Sequence, residues 1–321
     1  MITRVSTKDM PREEWLARRR KSIGGSDAGA VLGLNPYASA YSLFCEKTGL
    51  ILPEDIGDKE AVRIGNDLEQ YVADRFTEMT GKKVRRDYSM IYNDGYPFAH
   101  ADIDRRIVGE NAGLECKTTS SFEILSRLKE GEYPEQWYCQ MVHYMMVTGA
   151  ERWYLGVLVL GKGFFEFTIE RKEEEIEALA SAEKEFWEKV VKKEAPGFDG
   201  SEATKQALKI IFAESNPGLS VDLTAVSGHL TAYCHCKARM KELEEELNQQ
   251  QAYITEFMAD AEKGSCASKN YGNISVSFKT QSRRNFDLKA YEADHGPIAE
   301  KYFKVVTSRP FKVTVKKEKG E

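Results

Sequence analysis

Residues 98–120, "FAHADIDRRIVGENAGLECKTTS", decide the fold. They read as two strands, yet Asp102, Asp104, Glu115 and Lys117 stand where a buried sheet wants hydrophobes. Burying one unpaired charge is costly, so charges on neighbouring core strands call for a partner such as a metal ion. Strand alternation sends His100, Asp102 and Asp104 to one face and Ala101 and Ile103 to the other. In "LECK", Leu114 and Cys116 share a face opposite Glu115 and Lys117. If the strands pair, carboxylates and an ammonium converge. Hard oxygen donors of this kind suit magnesium, which binds through few carboxylates and keeps its waters. A neighbouring lysine can acidify an attacking water or steady transition-state charge, so the set describes metal-assisted phosphodiester hydrolysis. The plainer alternative, a strand with an exposed polar face, is weakened because Glu115 and Lys117 sit in mid-strand beside Leu114 and Cys116.

Upstream of this stretch, "DYSMIYND" ends at Asp94-Gly95, a hairpin signal. Before it, residues 60–80 carry Ile64, Leu68, Tyr71, Val72 and Phe76 at helical spacing, with Gly81 as C-cap. Shorter helices are expected at 11–21 and 39–48, and at "SDAGAVL" after the turn Gly24-Gly25. Downstream, "PEQWYCQMVHYMMVTG" is a helix opened by Pro134 and closed by Gly149. A hairpin turning at 161–163 and a charged amphipathic helix over about 172–194 complete a compact α/β unit. "PGFDGSEAT" reads as a linker, which places one domain at 1–197 and a second at 198–321. In the second, a helix is expected at 202–214 and a long one at about 223–262. The long helix carries Tyr233, Cys236, Met240, Leu243, Leu247, Ile254 and Phe257 in 3-4 spacing, broken by Gln250, which suggests a helical hairpin or coiled coil. Alternation at Ile274, Val276 and Phe278, and again at Phe311, Val313 and Val315, adds small strands. Arg283, Arg284, Arg309 and Lys312 lie near aromatics; they could touch nucleic acid, though a solvated strand face explains them as well.

Composition bounds the class. With 321 residues, 41% hydrophobic and 30% charged, the chain is an ordinary globular protein. It has no apolar run long enough for a transmembrane helix and no signal-peptide core, so no membrane and a cytoplasmic location are expected. Six scattered cysteines fit reduced thiols. Cys234-His235-Cys236 is too tightly spaced for a zinc knuckle. The net charge of −5 does not exclude DNA, because the electrostatic footprint of an enzyme is local, and the tail from Val276 onward is basic.

The spacing of Asp104 from Glu115-x-Lys117 resembles that of the PD-(D/E)XK nucleases. Five motifs in order, "RRRKSIGGSDAGAVLGLNPY", "GNDLEQYVADRF", "ADIDR", "LECKTTS" and "QWYCQMVHYMMVTG", resemble the YqaJ-type viral recombinase group, relatives of phage lambda exonuclease, over residues 12 to about 170. The resemblance implies a restriction-endonuclease-like α/β core, a mixed sheet flanked by helices, followed by an α+β extension with a long helix. It implies that Asp104 and Glu115 ligate metal, that Lys117 assists the nucleophilic water, and that the Cys116 backbone carbonyl and Glu69 complete the site. Gln140 would face that site, and Arg19 and Ser26 would grip a terminal 5′-phosphate. Asp102 rivals Asp104 for the aspartate role, and "ADID" stands where the family pattern has proline-aspartate. The implied cofactor is Mg2+, with Mn2+ substituting. No iron–sulfur cluster is expected, because this domain holds only Cys45, Cys116 and Cys139. The implied activity is 5′-to-3′ exonuclease digestion of linear double-stranded DNA, leaving tails for a phage single-strand annealing protein, with a homotrimer ring as the assembly. An endonuclease on the same scaffold and a non-catalytic DNA-binding or assembly module remain open.

Overall fold

The computed structural model describes residues 1–52, 56–304, 309 and 311–313. They divide into two compact units, Met1–Ala213 and Glu214–Glu321. The first opens with strand β1 (Ile2–Ser6), then helices α1 (Arg12–Arg19), α2 (Gly25–Val31), α3 (Ala40–Thr48) and α4 (Glu60–Thr80). Strands β2 (Val84–Arg86), β3 (Ser89–Asn93), β4 (His100–Asp102), β5 (Arg105–Ile107) and β6 (Ala112–Thr119) follow. Helices α5 (Phe122–Lys129) and α6 (Glu135–Thr148) lead to β7 (Arg152–Val159), β8 (Gly163–Glu170), α7 (Glu173–Lys192) and α8 (Glu202–Ile211).

A five-stranded sheet, ordered β2-β5-β6-β7-β8, forms the centre, and a three-stranded sheet, β1-β3-β4, lies in the same unit. The central sheet is mixed. β6 and β7 run parallel from Ala112↔Arg152 to Thr119↔Val159, joined through α5 and α6, while β5–β6 and β7–β8 are antiparallel. This is the α/β core with a mixed sheet and flanking helices that the sequence leads one to expect.

Local chemistry fixes the helices around it. α4 ends where Gly81 adopts φ +72°, and α6 where Gly149 adopts φ +68°, the left-handed turn that a side chain resists. Residues Cys139 to Val147 of α6 are buried on all sides, because the helix is enclosed by α2, α7 and strands of both sheets. The small residues of α2 make this possible: a Cβ on Gly25 would stand 2.5 Å from the Tyr144 ring. The core gathers Ile23, Met141, Met145, Trp153, Leu155 and their neighbours, while Phe76, Leu114 and Tyr154 form a second cluster beneath α4.

Several expectations change. Residues 100–104 are not one strand: β4 pairs with β3 in the small sheet, β5 pairs with β6 in the central one, and the chain changes sheet at Ile103–Asp104. The boundary at 197 also moves. α8 belongs to the first unit, with Ala207 in its core and Thr204 Oγ1 2.7 Å from Ser39 Oγ, so "PGFDGSEAT" leads into a packed helix. In the second unit the long helix is single: α9 (Ser227–Met258) follows a 3-10 turn at Thr224–Val226, and among the described residues no second long helix folds back on it. A hairpin of β9 (Lys263–Ser268) and β10 (Gly272–Ser277) holds Ile274 and Val276. A short helix, α10 (Leu288–His295), comes next. Phe311 and Val313 lie in no strand, and Val315 falls outside the described residues. Among the described residues, no helix is long and apolar enough to cross a membrane.

Candidate active site

β6 carries Glu115 and Lys117 into the central sheet, and the register Arg105↔Leu114 sets Asp104 beside them across the antiparallel pair. Asp104 Oδ2 accepts a hydrogen bond from the Cys116 backbone N–H at 2.8 Å. Glu115 is 3% exposed; its Oε1 lies 2.6 Å from Lys117 Nζ and accepts from Gln140 Nε2 at 2.8 Å. Lys117 Nζ also donates to Gln140 Oε1 at 2.9 Å, and Gln140 Nε2 donates to the Tyr144 hydroxyl at 2.8 Å. One amide on α6 thus ties the acid and the ammonium of β6 to the helix behind them.

Electrostatics mark the spot. Burial raises the Asp104 carboxyl well above its usual range, and the charges of Glu115 and Glu69 push it further, against the Cys116 N–H and Lys117. Burial works against the Lys117 ammonium, but Glu115 outweighs it and holds the lysine protonated more firmly than in water. Two neighbouring buried carboxylates with a single ammonium are an excess of negative charge, which a cation would relieve. Glu115 Oε2 is also buried and lacks a hydrogen-bond partner. An orphaned oxygen, a raised aspartate and all-oxygen donors fit a hard divalent ion. Among the described residues, no three His, Cys, Asp or Glu side chains close on a point as a ready-made metal group.

Glu69 projects from α4 onto Arg105, which it pairs at Oε1, and onto Arg86 Nη2 at 3.2 Å. Arg105, 2% exposed, returns to the Asp104 carbonyl at 2.9 Å and to Gln70 Oε1 at 3.1 Å, so Glu69 reaches the site through an arginine. Asp102 takes another direction. Its Oδ2 lies 3.8 Å from His100 Nε2, and burial raises its carboxyl to about 6 despite Arg19. The geometry groups Asp104, not Asp102, with Glu115 and Lys117.

Arg19 and Ser26 meet: Arg19 Nη2 donates to Ser26 Oγ at 2.7 Å, and the guanidinium lies 4.6 Å over the Trp15 ring. Behind them Asp27 accepts from Lys47 Nζ at 2.7 Å and from the Gly24 N–H at 2.9 Å. Burial opposes its ionisation, but Lys47 and then Arg19 prevail and hold it down to about 2. His100 Nδ1 lies 2.8 Å from Ser22 Oγ, and burial, then Arg19, holds its ring neutral, down to about 3. Sequence reasoning missed Tyr144, Arg105 and the Asp27–Lys47 pair. Tyr144 was within reach, because it sits one helical turn from Gln140 on the same face. Asp27–Lys47 spans two helices and gives no local signal.

The chain is similar to several known proteins. The YqaJ-like viral recombinase domain matches residues 14–151. The protein YqaJ of Bacillus subtilis (strain 168) is 37% identical over 311 residues, 96% of this chain and 95% of that protein. Among solved structures, the alkaline exonuclease LHK-Exo of Laribacter hongkongensis aligns at 19% identity with a TM-score of 0.48, over 62% of this chain and 99% of that one. Its complex with dAMP aligns at 0.49, with the same identity and coverage.

Proposed function

The chain belongs to the YqaJ-like viral recombinase family, and on that premise we propose that it is a magnesium-dependent deoxyribonuclease digesting linear duplex DNA from its 5′ ends. The observation that carries this reading is the cluster of Asp104, Glu115, Lys117 and Gln140, with one buried carboxylate oxygen left unsatisfied. Asp104, Glu115 and the Cys116 carbonyl are the residues that would hold the ion, with Glu69 acting on them through Arg105. Bound there, Mg2+ or Mn2+ would polarise the phosphate and acidify a water. Lys117 stays protonated, so its part is to donate to the developing oxyanion charge rather than to act as a base. Gln140 fixes the ammonium in that position. Arg19, an unbranched planar fork stacked on Trp15 and bonded to Ser26, suits a terminal phosphate, which carries more charge than an internal one.

The partner reading extends the same line: single-stranded tails for a phage-type annealing protein, a homotrimer around the duplex, and action in the cytoplasm. The deciding experiment incubates the protein with magnesium on end-labelled linear duplex beside a closed circle. Release of nucleotides from the 5′ end, loss of activity in chelator and in Glu115→Ala, and an intact circle are expected. Cleavage of the circle would move the reading to an endonuclease. Undiminished digestion in excess chelator would remove the metal from it.

A further inference from the structure

α9 is a single 32-residue helix in which, among the described residues, Tyr233 meets the Phe311 ring at 5.5 Å and Met258 is buried, while the apolar residues between them lie largely open. Cys236, Met240, Leu243, Leu247, Ile254 and Phe257 follow a strict alternation of four and three residues, with Gln250 in the missing place. That is the a/d seam of a coiled coil. Leu243 is 58% exposed, Leu247 65% and Phe257 92%. Helices are stabilised in water chiefly by burying an apolar face, so a long helix with a bare seam calls for a partner.

Charge identifies that partner. In heptad register Lys237 and Glu244 take e positions, and Arg239 and Glu246 take g positions. The first half of the seam is therefore basic and the second acidic. Set against itself head to tail, with Met240 facing Leu243 and Cys236 facing Leu247, the helix brings Lys237 opposite Glu244 and Arg239 opposite Glu246. Two-fold symmetry repeats both pairs. Side by side in the same direction, it offers only Arg239 to Glu244. Opposed helix dipoles also favour the antiparallel arrangement. In it Gln250 meets Tyr233, whose hydroxyl can accept from the amide, so the polar break in the seam has a partner too.

We propose that α9 pairs with α9 of a second copy of this chain as an antiparallel two-stranded coiled coil, in the register that sets Cys236 against Leu247. The contact is self-complementary, as a two-fold interface requires. The seam lies in the second unit, and the candidate active site in the first.

A short bis-maleimide on the full-length protein tests this. In the antiparallel pair the two Cys236 thiols stand roughly 16 Å apart, eleven residues at about 1.5 Å each, beyond the linker's span. Leu247→Cys should therefore give a covalent dimer where the wild type gives none, and Leu247→Cys with Cys236→Ser should abolish it. Both positions are solvent-facing, so the protomer keeps its fold. Lys237→Glu with Arg239→Glu should lower the yield at least about tenfold by setting like charges across the seam. Adding Glu244→Lys and Glu246→Arg should restore it. Linking of wild-type Cys236 to itself, no dimer from Leu247→Cys, or failure of the charge reversal to restore would each overturn the proposal.

Discussion

Gln140→Leu removes three hydrogen bonds from the centre of the site: two at 2.8 Å, to Glu115 and Tyr144, and one at 2.9 Å from Lys117. Two of these end on charged groups, and a hydrogen bond to a charge contributes about 1.5–3 kcal/mol. Lys117 keeps its 2.6 Å contact with Glu115, so the ion pair survives and what is lost is its orientation. Losing one such contact in the transition state predicts a fall in kcat of roughly tenfold to a hundredfold. KM should hardly change, because Gln140 is buried and offers DNA no surface. Leucine fills most of the volume but leaves Glu115 and Tyr144 each short of a donor, which predicts a loss of about 1–3 kcal/mol in stability. Single-turnover cleavage of end-labelled duplex at saturating magnesium, beside denaturant melts, reads both quantities. Gln140→Glu, which sets a carboxylate where the amide nitrogen lay, should do worse in both. A leucine variant that melts early but cuts within twofold of wild type would refute the reasoning and make Gln140 a packing residue.

Lys117→Ala should lose kcat at saturating magnesium with little change in the magnesium requirement, and rescue by added magnesium would contradict its part in the transition state. Arg19→Ala should erase a preference for 5′-phosphorylated over 5′-hydroxyl ends, measured as the ratio of initial rates on the two duplexes. Residues 1–213 alone should fold and cut, whereas 1–197, stripped of α8 and of the Thr204–Ser39 bond, should melt several degrees lower by calorimetry. Asp27, held down to about 2 from 3.8, contributes stability that is complete above pH 3.8 and lost as pH falls toward 2. The gap between wild type and Asp27→Asn, about 2 kcal/mol at neutral pH by that displacement, should therefore close at pH 2 in denaturant titrations.

How much of this was legible depended on the range of each interaction. Helix ends were readable because capping is local: Gly81 and Gly149 turn left-handed where the glycines stand. Strand β6 was readable from "LECKTTS", since alternation shows in a few residues. The change of sheet at Ile103–Asp104 was not, because it depends on β3 and β6, and alternation alone runs straight through it. α8 misled for a similar reason. Its glycine- and proline-bearing approach reads as a linker, and its docking, through Ala207 in the core and the Thr204–Ser39 bond, is made with residues far away in sequence. Of the site, Glu115 and Lys117 were legible from alternation within β6, while the choice of Asp104 over Asp102 came from the family resemblance. The arginine between Glu69 and Asp104 was not, because an arginine in a strand reads as surface until α4 covers it.

On the proposed reading, the break at Ile103 also joins two tasks, gripping a strand end and cutting beside it. Asp102 lies with His100 and feels Arg19, on the side of the chain where a strand end would be gripped. Asp104 lies with Glu115 and Lys117, where the bond would be cut. Between them stands only buried Ile103. Two residues of extended chain span at most about 7 Å, so Asp102, which feels Arg19, and Asp104, beside Glu115, hang from backbone positions no farther apart than that. On that reading, a strap of this length would hold the cut at a fixed distance from the gripped end. Were the same residues placed on separate mobile loops, cutting would not depend on where the strand ends. On the proposed reading this short connection predicts small, constant products, and a gel of end-labelled duplex should show a ladder rising from mononucleotides.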